Sequence, residues 1–350
     1  MTGEQTLRHS ALAARNAVLS AAATMWVLAG AGPAAAQVSY TNIDLDGGFY
    51  GTTAVVINDQ GVIAGYYGCG GSVEGSFVRA ADGTVATFSL YPCSGEQDNV
   101  TAVSGINGNG DVAGSSLRGT THGGFVRDAD GTLTPVFNPV MSRDNQFYVI
   151  GINTPGTVTG VWDVPGVRFG FVRGSDGTFR KFSANGSNYT QPACINDKGV
   201  IAGIIGAGQQ HGFVRFANGK TKIFDPPNSG GTYVTAINLA GAIAGYFKDG
   251  TDGGRIHGFV RDTDGSYETF AAPGSVQTEA EGISSTGAVT GNYFDGNNWH
   301  GFVRDAAGTI TDFDYPGAVG TFPKSINSAG AIAGYYWGSN GENYGFLRTD

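Results

Sequence analysis

The chain has 350 residues, of which 59 are glycine and 12 are proline, and a formal net charge of −9 at pH 7. An acidic chain without a run of basic residues suits neither nucleic acid nor an anionic membrane surface, so we expect neither as a partner. Glycine exceeds its usual share, but glycine and proline together stay below the level of a disordered chain. Composition therefore favours a folded protein.

Residues 1–36 have the features of a secretory signal peptide. Arg8 and Arg15 precede an apolar stretch over residues 17–31, and the alanines at 34–36 form a small-residue cleavage site. An uncleaved membrane anchor is the alternative, although the stretch contains alanine and glycine rather than leucine. No cysteine follows the site, which argues against a lipoprotein. We expect cleavage after Ala36 and a secreted or periplasmic chain that is not inserted in a membrane.

The rest of the sequence repeats one unit seven times. Each unit has an Ile-Asn or Ile-Ser pair and, further on, a segment similar to Gly-Phe-Val-Arg, with a period of about 42 to 49 residues. The marker isoleucines are Ile57, Ile106, Ile152, Ile195, Ile237, Ile283 and Ile326, and the marker phenylalanines are Phe77, Phe125, Phe171, Phe213, Phe259, Phe302 and Phe346. Four short apolar runs at this period are typical of the blades of a β-propeller.

Turn signals divide each unit into four strands, here called a to d in chain order. Asn-x-x-Gly links a to b, and Asp-Gly or Asn-Gly links c to d in most units. Apolar residues within the strands are consecutive rather than alternating, so both faces of each strand are covered. Blades stacked around an axis provide that cover.

The number of strands indicates how the ring closes. Only six strands d follow their own strand c, whereas residues 40–44 near the N-terminus match residues 310–314, which form a strand d. We therefore predict an all-β fold, a seven-bladed β-propeller with four-stranded blades over residues 37–350. In this single domain the N-terminal strand completes the last blade, which leaves no unpaired edge.

These motifs resemble the HAF-type repeats of secreted bacterial proteins. There, Ile-Asn-x-x-Gly-x-Ile-x-Gly-Tyr is followed by His-Ala-Phe or His-Gly-Phe and an Asp-Gly-Thr hairpin, and the match is best over residues 195–224, 237–270 and 283–313. The histidine is absent at 75–77, 169–171 and 344–346. The resemblance implies an exported repeat protein and assigns it no reaction.

Loop lengths distinguish the two ends of the predicted ring. The a–b and c–d turns are nearly uniform, whereas the b–c and d–a loops vary and are rich in aromatic and charged residues. Aromatic side chains among polar groups suit a sugar ring or a peptide, although packing between blades is an alternative role for them. The candidate ligand-binding residues at this variable end are Trp162, Arg168, Tyr246, Arg255, Glu279, Glu281, Tyr293, Trp299 and Trp337.

Other repeated residues are better explained by structure. His211, His257 and His300 each precede Gly-Phe in strand c, roughly 10 Å outside the innermost strand, so a hydrogen bond is favoured over a metal site. The Asp-x-Asp-Gly segments are interpreted as hairpin turns rather than calcium loops. We expect no metal and no cofactor. Links between blades are predicted for Arg79, Arg127, Arg173, Arg215, Arg261, Arg304 and Arg348.

Two functions remain open from the sequence. The favoured hypothesis is a non-catalytic, monomeric, exported propeller that binds a glycan or an extracellular protein, because no catalytic motif is present and no catalytic residue is assigned. The alternative is a carbohydrate-active enzyme, a polysaccharide lyase or glycoside hydrolase, by analogy of fold alone. In that case Tyr246, Arg255, His257, Glu279 and Glu281 are the residues to test.

The three cysteines generate a prediction about the oxidation state of the exported protein. Cys69 and Cys93 both lie in loops at the variable end of the first unit, and export favours a disulfide between them. Cys194 precedes a marker isoleucine, where the other units have small side chains, and is expected to be a free core thiol. Titration of the unreduced, denatured protein should find one thiol per chain. Three thiols would rule out the disulfide.

Overall fold

The computed structural model describes residues 37–45, 51–69, 72–90, 99–119, 121–137 and 146–350. Apart from the short 3-10 helix Ala184–Gly186, the regular structure of these residues is β-strand, and residues Val38–Asp350 form one compact unit. No helix in these ranges is long and apolar enough to cross a bilayer.

The strands follow one another in chain order. The first nine are β1 (Ser39–Ile43), β2 (Thr52–Ile57), β3 (Ile63–Cys69), β4 (Ser72–Arg79), β5 (Val85–Phe88), β6 (Asn99–Ile106), β7 (Val112–Arg118), β8 (Thr121–Arg127) and β9 (Leu133–Val136). The next eight are β10 (Gln146–Ile152), β11 (Val158–Val164), β12 (Val167–Arg173), β13 (Phe179–Phe182), β14 (Thr190–Ile195), β15 (Ile201–Ile205), β16 (His211–Arg215) and β17 (Thr221–Phe224). The last eleven are β18 (Ser229–Ile237), β19 (Ile243–Asp249), β20 (Ile256–Arg261), β21 (Tyr267–Phe270), β22 (Gln277–Ile283), β23 (Val289–Phe294), β24 (Trp299–Arg304), β25 (Ile310–Phe313), β26 (Gly320–Ile326), β27 (Ile332–Trp337) and β28 (Asn343–Thr349).

These strands pair into four four-stranded sheets and one sheet of twelve strands. The four-stranded sheets are β2–β5, β6–β9, β10–β13 and β14–β17. In the large sheet, antiparallel pairing runs through β18–β21, through β22–β25, and through β26, β27, β28 and β1. Single parallel residue pairs, Ile256 with Gln277 and Trp299 with Gly320, join these runs. Sequential antiparallel strands in groups of four are the architecture of a β-propeller.

The N-terminal strand pairs with the last strand of the chain. β1 runs antiparallel to β28, from Ser39 opposite Thr349 to Ile43 opposite Gly345. The side chain of Ile43 is 3% exposed, so the strand contributes to the core as well as to the sheet. This pairing confirms the prediction that the N-terminal strand completes the final group of strands.

The core of each group depends on a phenylalanine from strand c packed over a glycine of strand b. All seven marker phenylalanines are fully buried. In the first group, Gly65 lies opposite Phe77, and a Cβ added to Gly65 would lie 2.8 Å from the Phe77 ring and 2.0 Å from the carbonyl oxygen of Thr53. A side chain at Gly65 would therefore collide with backbone that cannot move aside.

Arginines link neighbouring groups, as predicted, at five positions. The guanidinium carbon of a strand c arginine lies 4.8 to 5.2 Å from the ring centre of a phenylalanine in strand d of the preceding group. The planar cation covers the aromatic ring, which adds a cation–π attraction to the apolar contact between the groups. The pairs are Arg127 with Phe88, Arg215 with Phe182, Arg261 with Phe224, Arg304 with Phe270, and Arg348 with Phe313.

Asparagines form an incomplete ring of hydrogen bonds at the uniform end. Each follows its marker isoleucine, and its side-chain Nδ2 donates to the backbone carbonyl of the equivalent residue in the next group, at 3.0 to 3.2 Å. The donor and acceptor residues are Asn58 and Asn107, Asn107 and Asn153, Asn153 and Asn196, Asn196 and Asn238, Asn238 and Ser284, and Asn327 and Asn58. The missing link is between Ser284 and Asn327, because serine is too short to reach.

We predict that Ser284→Asn stabilises the protein. The carboxamide should accept the turn N–H of Ala288, as the serine Oγ now does at 3.1 Å, and should also donate to the Asn327 carbonyl. One added buried hydrogen bond should raise the free energy of unfolding by about 1 kcal/mol, which urea denaturation can measure. Ser284→Ala is the control and should be destabilising, since it loses the turn bond. A Ser284→Asn variant no more stable than the parent would contradict this account.

Candidate ligand-binding site

A β-bulge directs one residue of each innermost strand towards the axis of the ring. In β2, β6, β10, β14, β18, β22 and β26 the pairing register shifts two residues before the marker isoleucine. A bulge changes the direction of the side chain that it contains. Residues of all seven strands line an axial cavity of about 250 Å³. The bulged residues are Val55, Ser104, Ile150, Ala193, Thr235, Glu281 and Lys324.

Two of the bulged residues form an ion pair beside this cavity. Lys324 Nζ lies 2.7 Å from Glu281 Oε1, and the side chains are 27% and 18% exposed. Burial lowers the pKa of Lys324, but the charge of Glu281 and the hydrogen bond to it outweigh burial and leave the pKa raised. The lysine therefore stays charged, and the pair joins β22 to β26.

Glu279 is a second carboxylate on the same strand, and its negative charge is offset less by neighbouring groups than that of Glu281. It lies opposite Asn292 in the register, and Asn292 Nδ2 donates to Glu279 Oε2 at 3.0 Å. Burial is the main cause that raises the pKa of Glu279, and the nearby charge of Glu281 adds to it. The Asn292 hydrogen bond and Lys324 act in the opposite direction without cancelling the shift. The cation that influences Glu279 is thus already paired with Glu281.

Tyrosines lie on both sides of these carboxylates. Tyr246 on β19 stacks on Tyr233 with ring centres 5.0 Å apart, and Tyr335 on β27 stacks on Phe322 at 4.9 Å. Burial, followed by the charges of Glu279 and Glu281, raises the pKa of Tyr246. Burial also raises the pKa of Tyr335, although the charge of Lys324 opposes it. We call the set the carboxylate–tyrosine cluster: Tyr233, Tyr246, Glu279, Glu281, Asn292, Lys324 and Tyr335.

An aromatic rim continues from the cluster at Phe322. The Phe322 ring centre lies 4.5 Å from that of Trp337 and 5.9 Å from that of Trp299. Trp337 is 39% exposed, whereas Phe322 is buried beneath it. The predicted residues Trp299 and Trp337 thus both contact Phe322, which stacks on Tyr335 of the cluster, and Trp337 presents a ring to solvent.

Arg168 lies at a separate position. Its guanidinium makes two 2.7 Å hydrogen bonds to the carboxylate of Asp163, and its Nη1 donates to Tyr189 Oη at 2.9 Å and to Gln191 Oε1 at 2.6 Å. It lines a second cavity of about 410 Å³, whose walls include Tyr148 and Val161. Most of the guanidinium's hydrogen-bonding capacity is already used within the protein.

Three further predicted residues do not join the cluster. Trp162 is 9% exposed and Tyr293 8% exposed, and each belongs to a hydrophobic cluster. Strand b carries both, and the strands around it cover their rings: Trp162 packs near Phe169, and Tyr293 stacks on His300 at 5.0 Å. Arg255 is exposed in the connection between β19 and β20.

The strand c histidines make hydrogen bonds to aspartate, as predicted for a structural role. His211 Nδ1 lies 2.7 Å from Asp225 Oδ2, and His300 Nδ1 lies 2.9 Å from Asp314 Oδ2. His257 instead bonds through Nε2 to Asp252, at 3.1 Å. Among the described residues no three histidine, cysteine, aspartate or glutamate side chains are grouped so as to hold a metal ion.

The Asp-Gly segments and Cys194 also have structural environments. Asp130 Oδ1 accepts the backbone N–H of Thr132 at 2.8 Å, and Asp264 Oδ1 accepts that of Ser266 at 2.8 Å, which confirms the hairpin turns. Cys194 is a free thiol beside the axial cavity, and burial raises its pKa to about 12. The predicted Cys69–Cys93 disulfide lies outside the described residues, since neither side chain is among them.

Sequence reasoning missed Lys324, Asn292 and Tyr233. A signal for Lys324 was present, because Glu281 and Lys324 both stand two residues before a marker isoleucine in consecutive repeats. Equivalent positions in neighbouring repeats face each other across a seam, so opposite charges there predict an ion pair. Asn292 and Tyr233 require the pairing register, which the repeat alignment alone does not provide.

Comparison with known proteins supports the fold and leaves the family open. No family model matches the chain, and no curated protein matches it either. Virginiamycin B lyase from Staphylococcus aureus superposes with a TM-score of 0.60 at 13% identity, over 90% of this chain and 100% of that one.

Two propeller domains are also similar. The β-propeller domain of the Trilobed protease from Pyrococcus furiosus, reported to have an open velcro topology, gives a TM-score of 0.58 at 9% identity, over 85% of this chain and 92% of that one. The β-propeller domain of Cps50 (Swd1) from Myceliophteria thermophila gives 0.52 at 10% identity, over 88% and 99%. At these identities the likeness shows the fold alone, and the chain is an all-β propeller.

We predict that Lys324→Met destabilises the protein in a pH-dependent way. It leaves Glu281 without its cation, so we expect a loss of roughly 1–3 kcal/mol near neutral pH, less than for a fully buried pair. Removal of Lys324 also raises the pKa of Glu279 further. A carboxyl whose folded-state pKa is raised binds protons more readily in the native than in the unfolded state, so acidification towards about pH 4.5 should recover part of the loss. Urea denaturation at both pH values measures it.

The control for this prediction is the double variant Glu281→Gln/Lys324→Met, which removes both charges. It should be more stable than Lys324→Met alone near neutral pH, because no carboxylate is left unpaired at position 281. A stability deficit of Lys324→Met that stays constant between the two pH values would show that lost packing, and not charge, is the cause.

Proposed function

We propose that the chain is an exported, seven-bladed propeller that binds a glycan at the carboxylate–tyrosine cluster and the aromatic rim, without catalysing a reaction on it. The observation that carries this proposal is a series of contacts that runs from the carboxylates to an exposed ring. Lys324 pairs with Glu281 and lies 5.9 Å from the centre of the Tyr335 ring, and Tyr335 stacks on Phe322, which contacts exposed Trp337. Aromatic faces beside hydrogen-bonding groups suit a sugar ring, which has an apolar face and a polar edge.

The count of seven blades is supported by the internal repeats of the sequence and of the strand pairing. The twelve-stranded sheet consists of three antiparallel runs of four strands, connected by two single parallel pairs. If each run is one blade, the four separate sheets complete a ring of seven. Residues from β2, β6, β10, β14, β18, β22 and β26 line the axial cavity, which is the place of the innermost strand of each blade.

The pairing of ionisable groups favours binding over catalysis. Lys324 holds Glu281, Asp163 holds Arg168, and Asp314 holds His300, each at 2.9 Å or less. A general acid or base must be within reach of a substrate atom and free to exchange a proton with it. Groups held in this way are better suited to position a ligand.

Glu279 favours the second candidate function, a carbohydrate-active enzyme. Its raised pKa, caused chiefly by burial, is the property of a general acid in glycoside hydrolysis, and Glu281, paired with Lys324, would be the second carboxylate. Turnover in a polysaccharide degradation screen that disappears in Glu279→Gln would establish this function in place of binding alone.

Export, a single domain over residues 37–350 and a monomeric state are parts of the proposal that rest on the sequence. The basic residues, apolar stretch and alanines of residues 1–36 support export with cleavage after Ala36. N-terminal sequencing of protein recovered from the medium or periplasm would check the cleavage site. The resemblance to HAF-type repeats supports an extracellular role, with an extracellular protein as the alternative partner.

A glycan array is the experiment that tests the binding function. The purified protein should bind a subset of glycans, and Tyr246→Ala or Trp337→Ala should weaken that binding at least about tenfold, as expected for an aromatic anchor. Phe216→Ala is a matched control, because Phe216 is 43% exposed and begins the c–d turn at the opposite, uniform end. Absence of glycan binding, or equal losses in the control, would overturn the assignment of the site.

A further inference from the structure

The carboxylate–tyrosine cluster has an excess of negative charge. It contains two carboxylates, Glu279 and Glu281, and one cation, Lys324, whose ammonium is 2.7 Å from Glu281. The neutral amide of Asn292 donates a hydrogen bond to Glu279. No ion pair to Glu279 occurs among the described residues. A half-buried carboxylate without its own counter-ion is costly, so the site is suited to a cation from outside the protein.

A buried acceptor atom beside Glu279 points the same way. Asn292 is 2% exposed, and its Oδ1 is buried with no hydrogen-bond partner in the described part of the chain. The other atom of the same carboxamide, Nδ2, donates to Glu279, so Oδ1 lies next to that carboxylate. An unpaired buried acceptor costs roughly 1–3 kcal/mol, which a donor from a ligand would recover. The unused groups here are acceptors, and they require a ligand rich in N–H or O–H donors.

The aromatic residues complete the environment of a cation. Tyr246 on β19 belongs to the group of strands before the one that carries Glu279 and Glu281, Tyr335 on β27 belongs to the group after it, and the charges of both carboxylates influence both half-buried phenols. Lys324 Nζ already lies 5.9 Å from the centre of the Tyr335 ring, so this face tolerates a positive charge. Aromatic faces attract ammonium groups, and more strongly where water is excluded.

We infer that the cluster recognises the ammonium group of an unacetylated amino sugar. The inference rests on the proposed glycan-binding function and specifies its ligand. The ammonium donates to Glu279 and to Asn292 Oδ1, the sugar hydroxyls bond to the remaining carboxylate oxygens, and the apolar face of a neighbouring sugar unit lies on Trp337. N-acetylation removes the charge and the donors that Glu279 and Asn292 require.

The test compares two tetrasaccharides that differ only in acetylation: a β-1,4-linked tetramer of glucosamine and its fully N-acetylated counterpart. Isothermal titration calorimetry near pH 6 should show that the glucosamine tetramer binds at least about tenfold more tightly, and that added salt weakens its binding. Glu279→Gln keeps the shape of the side chain and a hydrogen bond to Asn292, and should remove most of this preference. Asp312→Asn is the control, because it removes one exposed negative charge on the outer strand β25.

Each outcome distinguishes the inference from the function on which it rests. Equal affinity for the two tetramers, or a preference that survives in Glu279→Gln, would overturn the ammonium site while leaving glycan binding intact. If neither tetramer binds, the amino-sugar assignment is wrong, and the glycan array decides whether the broader function stands. A lysine-containing tripeptide is a third arm, and its binding in place of the glucosamine tetramer would assign the site to a protein partner instead.

Discussion

Closure of the ring is the constraint on which the rest of the molecule depends. A four-stranded sheet with both faces apolar cannot be stable alone, so every group of strands must be covered on each side by another group. The pairing of β1 with β28 connects the two ends of the chain, and Asn327 donates to the carbonyl of Asn58 across the same seam. The stacked arginines and the asparagine ring repeat that connection at the other seams. Without closure, both terminal groups would expose an apolar face.

The same closure creates the site. Because the innermost strands converge on an axis, residues far apart in the chain face one another across each seam, and the β-bulge directs one side chain per strand towards the centre. At most seams these side chains are small or neutral, as with Ser104, whose Oγ donates to the Val149 carbonyl at 2.7 Å. Only β22 and β26 contribute opposite charges at this position, so the chemistry of the ring is concentrated on one side.

The fold was largely predictable from the sequence, because each repeat carries its own turn signals and its own buried phenylalanine. The N-terminal strand was predictable for the same reason: Tyr40 to Asp44 match a strand that the last repeat lacks, and β1 pairs where that match requires. The roles of the arginines and of His211 and His300 followed from repetition as well. A residue that recurs in most units serves a contact that recurs in most units.

The candidate site was less predictable, because it depends on what differs between repeats. Trp162 and Tyr293 stand at the variable end among polar residues, and this suggested a role in binding, yet both rings are buried in hydrophobic clusters. Composition cannot separate these two explanations for an aromatic residue, since each uses the same apolar ring. The pairing register separates them, because it shows which residues cover each ring.

Glu279 and Asn292 provide the strongest physical argument that the site has a function beyond stability. The charged and hydroxyl side chains at the bulges have partners within the protein: Glu281 has Lys324, and Ser104 and Thr235 donate to neighbouring carbonyls. A buried acceptor and a half-buried carboxylate that have no partner of opposite character in the described part of the chain reduce stability. An apolar or neutral pair would fit the same register, as Tyr148 and Val161 do in another group. Residues that reduce stability in their own surroundings are expected at sites where a protein binds a ligand. The loss of stability at Glu279 and Asn292 is therefore best explained by a ligand that supplies the missing donors.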